Sequence, residues 1–149
     1  MMPAAQLSNV ALLGELLDEA PPELAQHAVS AVSLDSRRLP PGSLFIALPG
    51  IRGHGLDYLQ QAVDAGCIAV AAEIDAQWSR ERIETLDTSI PVIAYESVHA
   101  GAIAARFYAD PSSQMTMIGY TGTNGKTTCA WLTAGVLENC AMIGTLGNG

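Results

Sequence analysis

Met115-Thr-Met-Ile-Gly-Tyr-Thr121 runs directly into Gly122-Thr-Asn-Gly-Lys-Thr-Thr128. A short apolar run, then closely spaced glycines, a lysine and two threonines, reads as a strand, a phosphate-gripping loop and a helix. The glycines let backbone N–H groups converge on phosphate oxygens. Lys126 reaches the outer phosphates, and the Thr127 hydroxyl suits a magnesium ion. The following helix points its positive end at the same anion. Gly122, Thr123, Asn124, Gly125 and Thr128 complete the cradle.

The general phosphate-loop pattern places a first glycine five residues before the second. Here that position is Tyr120, and Gly119 falls one place too early. The loop is therefore a variant form. A Gly-rich turn that binds nothing is the alternative, and the flanks argue against it. Upstream, Met115 to Tyr120 is strand-like. Downstream, Ala130, Leu132, Ala134, Val136 and Leu137 recur as on a helix packed against a sheet.

With 149 residues, 49% of them hydrophobic and 5% aromatic, the chain is long enough to bury a core and suits an α/β protein. The formal charge of −8 argues against general nucleic-acid binding. The first basic residue is Arg37, so the start of the chain lacks the positive region of a signal peptide. Apolar runs such as Cys67 to Ala72 are too short for a membrane span. Cys67, Cys129 and Cys140 lack metal-ligand spacing and read as buried thiols in a reducing cytoplasm.

Strands and helices alternate along the chain. The predicted order is a helix over Leu7–Leu17 capped by Ser8, a strand over Val29–Leu34, and a turn at Leu39–Gly42. A buried strand over Leu44–Leu48 and a loop over Pro49–Gly55 follow, then a helix over Leu56–Ala65 stopped by Gly66. Next come a strand over Ile68–Ala72, a short helix over Trp78–Leu86, a strand over Pro91–Ala94 and a helix over Ser97–Tyr108 capped by Ser97. This pattern implies a largely parallel or mixed sheet with helical cover. A domain break is expected near Tyr95, with a first domain over 1–95 and a nucleotide unit over 96–149. The second unit has fewer strands than a nucleotide-binding sheet needs, which reads as the N-terminal part of a longer protein.

A second polar constellation is Leu34-Asp-Ser-Arg37, followed by Pro41-Gly-Ser-Leu-Phe-Ile-Ala-Leu-Pro-Gly50. A strand end of this kind presents hydroxyl and backbone donors to a phosphate or sugar. A local Asp35–Arg37 ion pair at a turn explains the same residues without a ligand.

The loop Thr121–Thr128 resembles the ATP loop of the Mur ligases and of their folylpolyglutamate synthetase relatives. The Asp-Ser-Arg stretch and the Pro-Gly-Ser-Leu-Phe-Ile-Ala run resemble the Mur ligases that add the third peptide residue or the terminal dipeptide. Arg106-Phe-Tyr108, Asp110-Pro-Ser112 and Gly144-Thr-Leu-Gly-Asn-Gly149 are more similar to the third-residue branch. The resemblance covers about Val32 to Gly149. Two features depart from the family's pattern: His54-Gly55 stands where Asp-Gly is frequent, and the connection around Glu138-Asn-Cys140 is shorter. His54 is read as an exposed loop residue, with a ligand contact as the alternative.

The resemblance implies a small mixed-sheet N-terminal domain that binds the UDP substrate, followed by the truncated start of a phosphate-loop ATPase-like central domain. It implies contacts to the UDP moiety from Leu34, Ser36, Ile51, Arg52 and Gly53. It further implies ATP and Mg²⁺ as cofactors, with Lys126 catalytic and Thr127 on the metal. The acceptor would be UDP-MurNAc-L-Ala-D-Glu. Its D-glutamate carboxylate becomes an acyl phosphate, and the amine of meso-diaminopimelate or L-lysine then attacks it. Phosphorylation gives a poor electrophile a leaving group. The expected location is the cytoplasm, with no nucleic-acid partner and no membrane insertion, and oligomeric state is not legible. Acidic metal ligands and the amino-acid domain are expected beyond Gly149, so this chain alone is expected to be inactive. The alternatives are a ligase of the terminal dipeptide, a non-catalytic nucleotide-sugar module, and an unrelated phosphate-loop NTPase or kinase.

Overall fold

The computed structural model describes residues 9–144 and 147–148. The chain divides after Pro111 into two compact units. The first opens with β1 (Ala11–Leu12), α1 (Leu13–Leu16), β2 (Ala28–Val29) and β3 (Ala31–Ser33). The single helix expected over Leu7–Leu17 is corrected to a two-residue strand and one helical turn. Its neighbours account for the change. Ala11 and Leu12 pair antiparallel with Val29 and Ala28, while the N–H groups of Leu13 and Gly14 donate to His27 O and Ala25 O at 2.9 and 3.0 Å. Leu7 and Ser8, the expected cap, lie outside the described residues. The strand expected over Val29–Leu34 is broken at Ser30, whose N–H and Oγ bond the turn carbonyls Gly42 O and Pro41 O.

The unit continues through β4 (Ser43–Ala47), β5 (Pro49–Gly50), β6 (Gly53–His54) and, after a 3₁₀ turn over Gly55–Tyr58, α2 (Leu59–Asp64). It ends with β7 (Ala69–Glu73), α3 (Arg80–Glu84), β8 (Val92–Tyr95) and α4 (Ala100–Phe107). The main sheet has the order β3-β4-β7-β8 and is parallel throughout. Antiparallel pairing is confined to separate two-stranded ladders, β1 with β2 and β5 with β6 in this unit. The expected loop over Pro49–Gly55 is thus a small hairpin.

The sequence of β4 explains the layering. All five of its residues are buried, and side chains alternate between faces. Leu44 and Ile46, with Ala69 and Ala71 of β7, pack against Leu13 and Leu16 of α1 and Ile103 and Phe107 of α4. Phe45 and Ala47, with Val70 and Ala72, pack on the other face against Ala62, Ile83 and Trp78. Helices therefore cover both faces of the central strands. Cys67 is buried among them, its thiol donating to the carbonyls of Ser43 and Ala69 at 3.0 and 2.9 Å, and burial pushes that thiol's pKa up.

Element ends follow local chemistry. Ser79 caps α3 by accepting the Arg82 N–H, and Gly66 closes α2 at φ 81°, a conformation other residues rarely adopt. Ser97 does not cap α4. That helix starts at Ala100, because Val98 N–H is taken by the Glu73 carboxylate, with Oε2 at 2.7 Å. The boundary expected near Tyr95 is displaced as well. Ile103 and Phe107 sit in the first unit's core, so α4 belongs with it.

The second unit holds α5 (Lys126–Val136) and an antiparallel pair, β9 (Ile143–Gly144) with β10 (Gly147–Asn148). The strand expected over Met115–Tyr120 is not formed. A strand needs a hydrogen-bonded neighbour, and Met115, Met117, Ile118 and Tyr120 are all exposed. Leu132, Val136 and Leu137 of the α5 region are exposed too, contrary to the expected packing on a sheet. Cys129 and Cys140, expected to be buried, are exposed free thiols for the same reason. Thr145, Leu146 and Gly149 of the resembling C-terminal stretch lie outside the described residues.

Gly55 marks the tightest join between sheet and hairpin. A Cβ there would stand 2.6 Å from Ala47 Cα and 3.0 Å from Leu48 N, both backbone atoms that cannot swing away. Gly55→Ala should therefore cost about 1–3 kcal/mol in urea-induced unfolding, the usual range for overpacking. An unchanged midpoint and slope would refute this reading of the join.

Candidate functional site

Parallel strands send all their carboxyl ends to one edge of a sheet, and loops there converge without further design. β3 and β4 are neighbours, so the segments after them share that edge. Leu34 and Ser36 follow β3, and Ile51, Arg52 and Gly53 form the hairpin after β4. These five residues, nineteen positions apart in sequence at the extremes, are thereby brought to one side of the first unit. Leu34 and Ile51 are exposed, the latter fully, at the hairpin tip. Two apolar side chains held in water beside polar groups are the features a mixed apolar and polar ligand would use.

The polar part of this edge is built locally. Asp35 caps a 3₁₀ turn over Ser36–Arg38. Its Oδ1 accepts the Arg37 N–H at 3.1 Å and Nε–H at 2.8 Å, while Oδ2 accepts Nη2–H at 2.8 Å. The ion pair considered from sequence is therefore formed, and in bidentate geometry. It lies in solvent, where such pairs stabilise little. Its consequence is positional: it leaves Ser36 directed elsewhere, with Oγ donating to Gln61 Oε1 of α2 at 3.0 Å.

His54 corrects the sequence reading. It is 2% exposed, where an exposed loop residue was expected. Its Nδ1 accepts the Leu56 N–H at 3.0 Å and its Nε2 donates to Glu73 O at 2.8 Å. The hydrogen-bond partners assign the ring hydrogen to Nε2. Flanking glycines and an aspartate three residues later were the available signal, since Asp57 accepts the His54 N–H at 2.9 Å in a reciprocal cap.

In the second unit, Gly122 has φ 139° and Gly125, the N-cap of α5, has φ 79°. No side chain caps this helix start, so the N–H groups of Lys126, Thr127 and Thr128 face outward from its first turn. The Lys126 ammonium folds over the loop and donates to Gly122 O, with Thr123 O at 3.5 Å. Backbone donors, an ammonium and the Thr127 hydroxyl form a donor set that suits phosphate oxygens. Asn124 and Thr128 are exposed beside it. Among the described residues, no three His, Cys, Asp or Glu side chains are grouped to hold a metal. The two residue sets, on the sheet edge and in the loop, lie in different units.

Residues 28–110, more than half of the chain, match the model described as "Mur ligase family, catalytic domain". The chain is 42% identical over 148 residues to the UDP-N-acetylmuramoyl-L-alanyl-D-glutamate–2,6-diaminopimelate ligase of Coxiella burnetii, covering 95% of this chain and 29% of that protein. It is 38% identical over 143 residues to the enzyme of the same name from Pseudomonas aeruginosa, covering 92% of this chain and 28% of the relative. A solved UDP-N-acetylmuramoylalanyl-D-glutamyl-2,6-diaminopimelate–D-alanyl-D-alanyl ligase from Acinetobacter baumannii superposes with a TM-score of 0.53 at 20% identity, over 85% of this chain and 28% of that one. That likeness concerns fold alone. An α/β scaffold of ligase type is thus defined, and the chain belongs to the Mur ligase family. It spans under a third of the length of these relatives. Among the described residues, no helix is long and apolar enough to cross a membrane.

The Asp35 carboxyl is held well below the ordinary value of 3.8, at about 2, chiefly by the side-chain hydrogen bonds from Arg37 and then by its backbone N–H. A depressed folded-state pKa stabilises the fold above the ordinary value, and that contribution disappears as pH falls through about 2. A carboxyl-carbon NMR titration should place the Asp35 midpoint near 2 and move it up toward 3.8 in Arg37→Ala. A wild-type midpoint already at 3.8 would remove the ion pair from the account.

Proposed function

We propose that this chain supplies the UDP-substrate domain and the phosphate loop of an ATP-dependent ligase in peptidoglycan precursor synthesis. The reaction joins a diamino acid to UDP-MurNAc-L-Ala-D-Glu. The observation that carries the reading is the 42% identity along 95% of the chain to a ligase named for diaminopimelate. Diaminopimelate is accordingly the favoured diamino acid over lysine. Residues 1–111 form the substrate domain in this reading, and residues 112–149 open the nucleotide domain.

At the sheet edge, Leu34 and Ile51 offer apolar contact to the uracil and ribose. Ser36 Oγ and the backbone of Arg52 and Gly53 offer donors to the diphosphate oxygens. Gly53 has φ 154°, and a Cβ there would meet Asp57 Oδ2 at 2.6 Å, so the backbone is bare where a ligand approaches. The Arg52 side chain is exposed and adds positive charge near the same oxygens.

At the loop, Gly122, Thr123, Asn124, Gly125 and Thr128 cradle phosphate through backbone N–H groups. Lys126 leaves the Gly122 and Thr123 carbonyls to neutralise the outer phosphates, and the Thr127 hydroxyl serves as a magnesium ligand. ATP with magnesium supplies the phosphoryl group that activates a carboxylate for attack by an amine. Holding that group in a fixed field of donors is the contribution of Lys126 and the N-terminal turn of α5.

Two titrations check these assignments on the chain itself. Ser36→Ala should weaken calorimetric binding of UDP-MurNAc-L-Ala-D-Glu roughly three- to tenfold, the net worth of one ordinary hydrogen bond. Equal affinities would take Ser36 out of the site. Lys126→Ala should weaken magnesium-ATP binding by about tenfold or more while leaving the UDP ligand unaffected. An unaltered ATP affinity would assign the loop no phosphate role.

A further inference from the structure

The hairpin formed by β5 and β6 has only two residues in each strand, and isolated two-stranded ribbons are marginal in water. Its tip has no packing of its own, since Ile51 is fully exposed. Order at the tip must therefore come from its base, and His54 dominates that base. The imidazole is buried with both ring nitrogens committed. Nδ1 takes the Leu56 N–H, which turns the chain into the 3₁₀ segment before α2. Nε2 reaches the Glu73 carbonyl, nineteen residues away at the carboxyl end of β7. Gly55 on one side lies against Ala47, and its N–H donates to Leu48 O at 2.9 Å. The Glu73 carboxylate bonds Val98 N–H, so the anchor point is itself tied to the approach to α4. The Trp78 ring, with its centroid 6.2 Å away, stands beside the imidazole.

We infer that His54 is a positioning residue for the hairpin tip. By strutting β6 against the end of β7, it holds Ile51, Arg52 and Gly53 at the sheet edge in the geometry that takes a UDP-linked ligand. The affinity claim rests on the UDP assignment proposed above, whereas the strut does not. Without the imidazole, the buried Leu56 N–H and the part-buried Glu73 carbonyl lose these bonds, and the tip samples conformations that a ligand must then select against.

The test uses three variants of this chain. His54→Ala removes both bonds. His54→Gln keeps a carboxamide long enough to donate to the Glu73 carbonyl. Ile83→Ala truncates a buried side chain of the same core and serves as a control for lost stability. The first readout is the backbone order parameter at Ile51 and Arg52 in the ligand-free protein. It should fall from about 0.85 to below about 0.6 in His54→Ala, recover in His54→Gln, and stay high in Ile83→Ala. The second is the calorimetric Kd for UDP-MurNAc-L-Ala-D-Glu, expected to rise about tenfold in His54→Ala and to change little in the control. If His54→Ala does not fold, a tip that is disordered in folded His54→Gln, below about 0.6, or one that becomes equally disordered in folded Ile83→Ala, overturns the strut. A rigid tip in folded His54→Ala also overturns it. Failure of the wild-type chain to bind the UDP ligand overturns the edge assignment and its affinity claim, and the order parameters still decide the strut.

Discussion

Burial of β4 and β7 on both faces is the constraint from which the first unit follows. Their side chains alternate into two apolar clusters, so helices must cover each face, and the strands between those helices must run parallel. Parallel strands deliver their connections to one edge. The polar turn after β3 and the hairpin after β4 share that edge because the core beneath them fixes the register: a slip of one residue would exchange the faces of every side chain in β4. The proposed substrate site is in this sense a by-product of the sheet.

Rigidity at that edge is graded. The Asp35–Arg37 pair and the Ser36–Gln61 bond are solvent-exposed and adjustable. At the hairpin base His54 is buried, with Leu56, Asp57 and Glu73 as its hydrogen-bond partners. A firm base beneath an exposed apolar tip suits recognition, since the tip pays little ordering entropy when a ligand arrives. In the second unit the Lys126 ammonium rests on the carbonyls of Gly122 and Thr123, a contact that phosphates would replace in the role proposed for this loop.

Much of this was legible in the sequence where the signal is local. The strands expected over Leu44–Leu48 and Ile68–Ala72 form as β4 and β7, each shifted by one residue, because an uninterrupted short apolar run has few alternatives, and Gly66 marked its helix end through its required backbone conformation. The α/β class followed from the alternation of such segments. Elements that depend on distant partners did not read correctly. The turn at Leu13 is short because His27 and Ala25 carbonyls claim its N–H groups, and α4 begins late because Glu73 takes the Val98 N–H. Met115–Tyr120 has the composition of a strand but no neighbour to pair with among the described residues. The glycines, lysine and threonines of Gly122–Thr128 drew attention as a local cluster, whereas the burial of His54 had only a weak local signal in its flanking glycines and Asp57, because one of its two ring partners is a carbonyl nineteen positions away.

The central claim is that the carboxyl edge of the parallel sheet recognises the UDP portion of a muramyl-peptide precursor. Amide chemical-shift mapping of the isotope-labelled chain with UDP-MurNAc-L-Ala-D-Glu tests it most directly. The account predicts that Leu34, Ser36, Ile51, Arg52 and Gly53 shift together and saturably, while the amides from Gly122 to Thr128 respond only when magnesium-ATP is added. Shifts absent from those five residues, or confined to the opposite edge of the sheet, would contradict it.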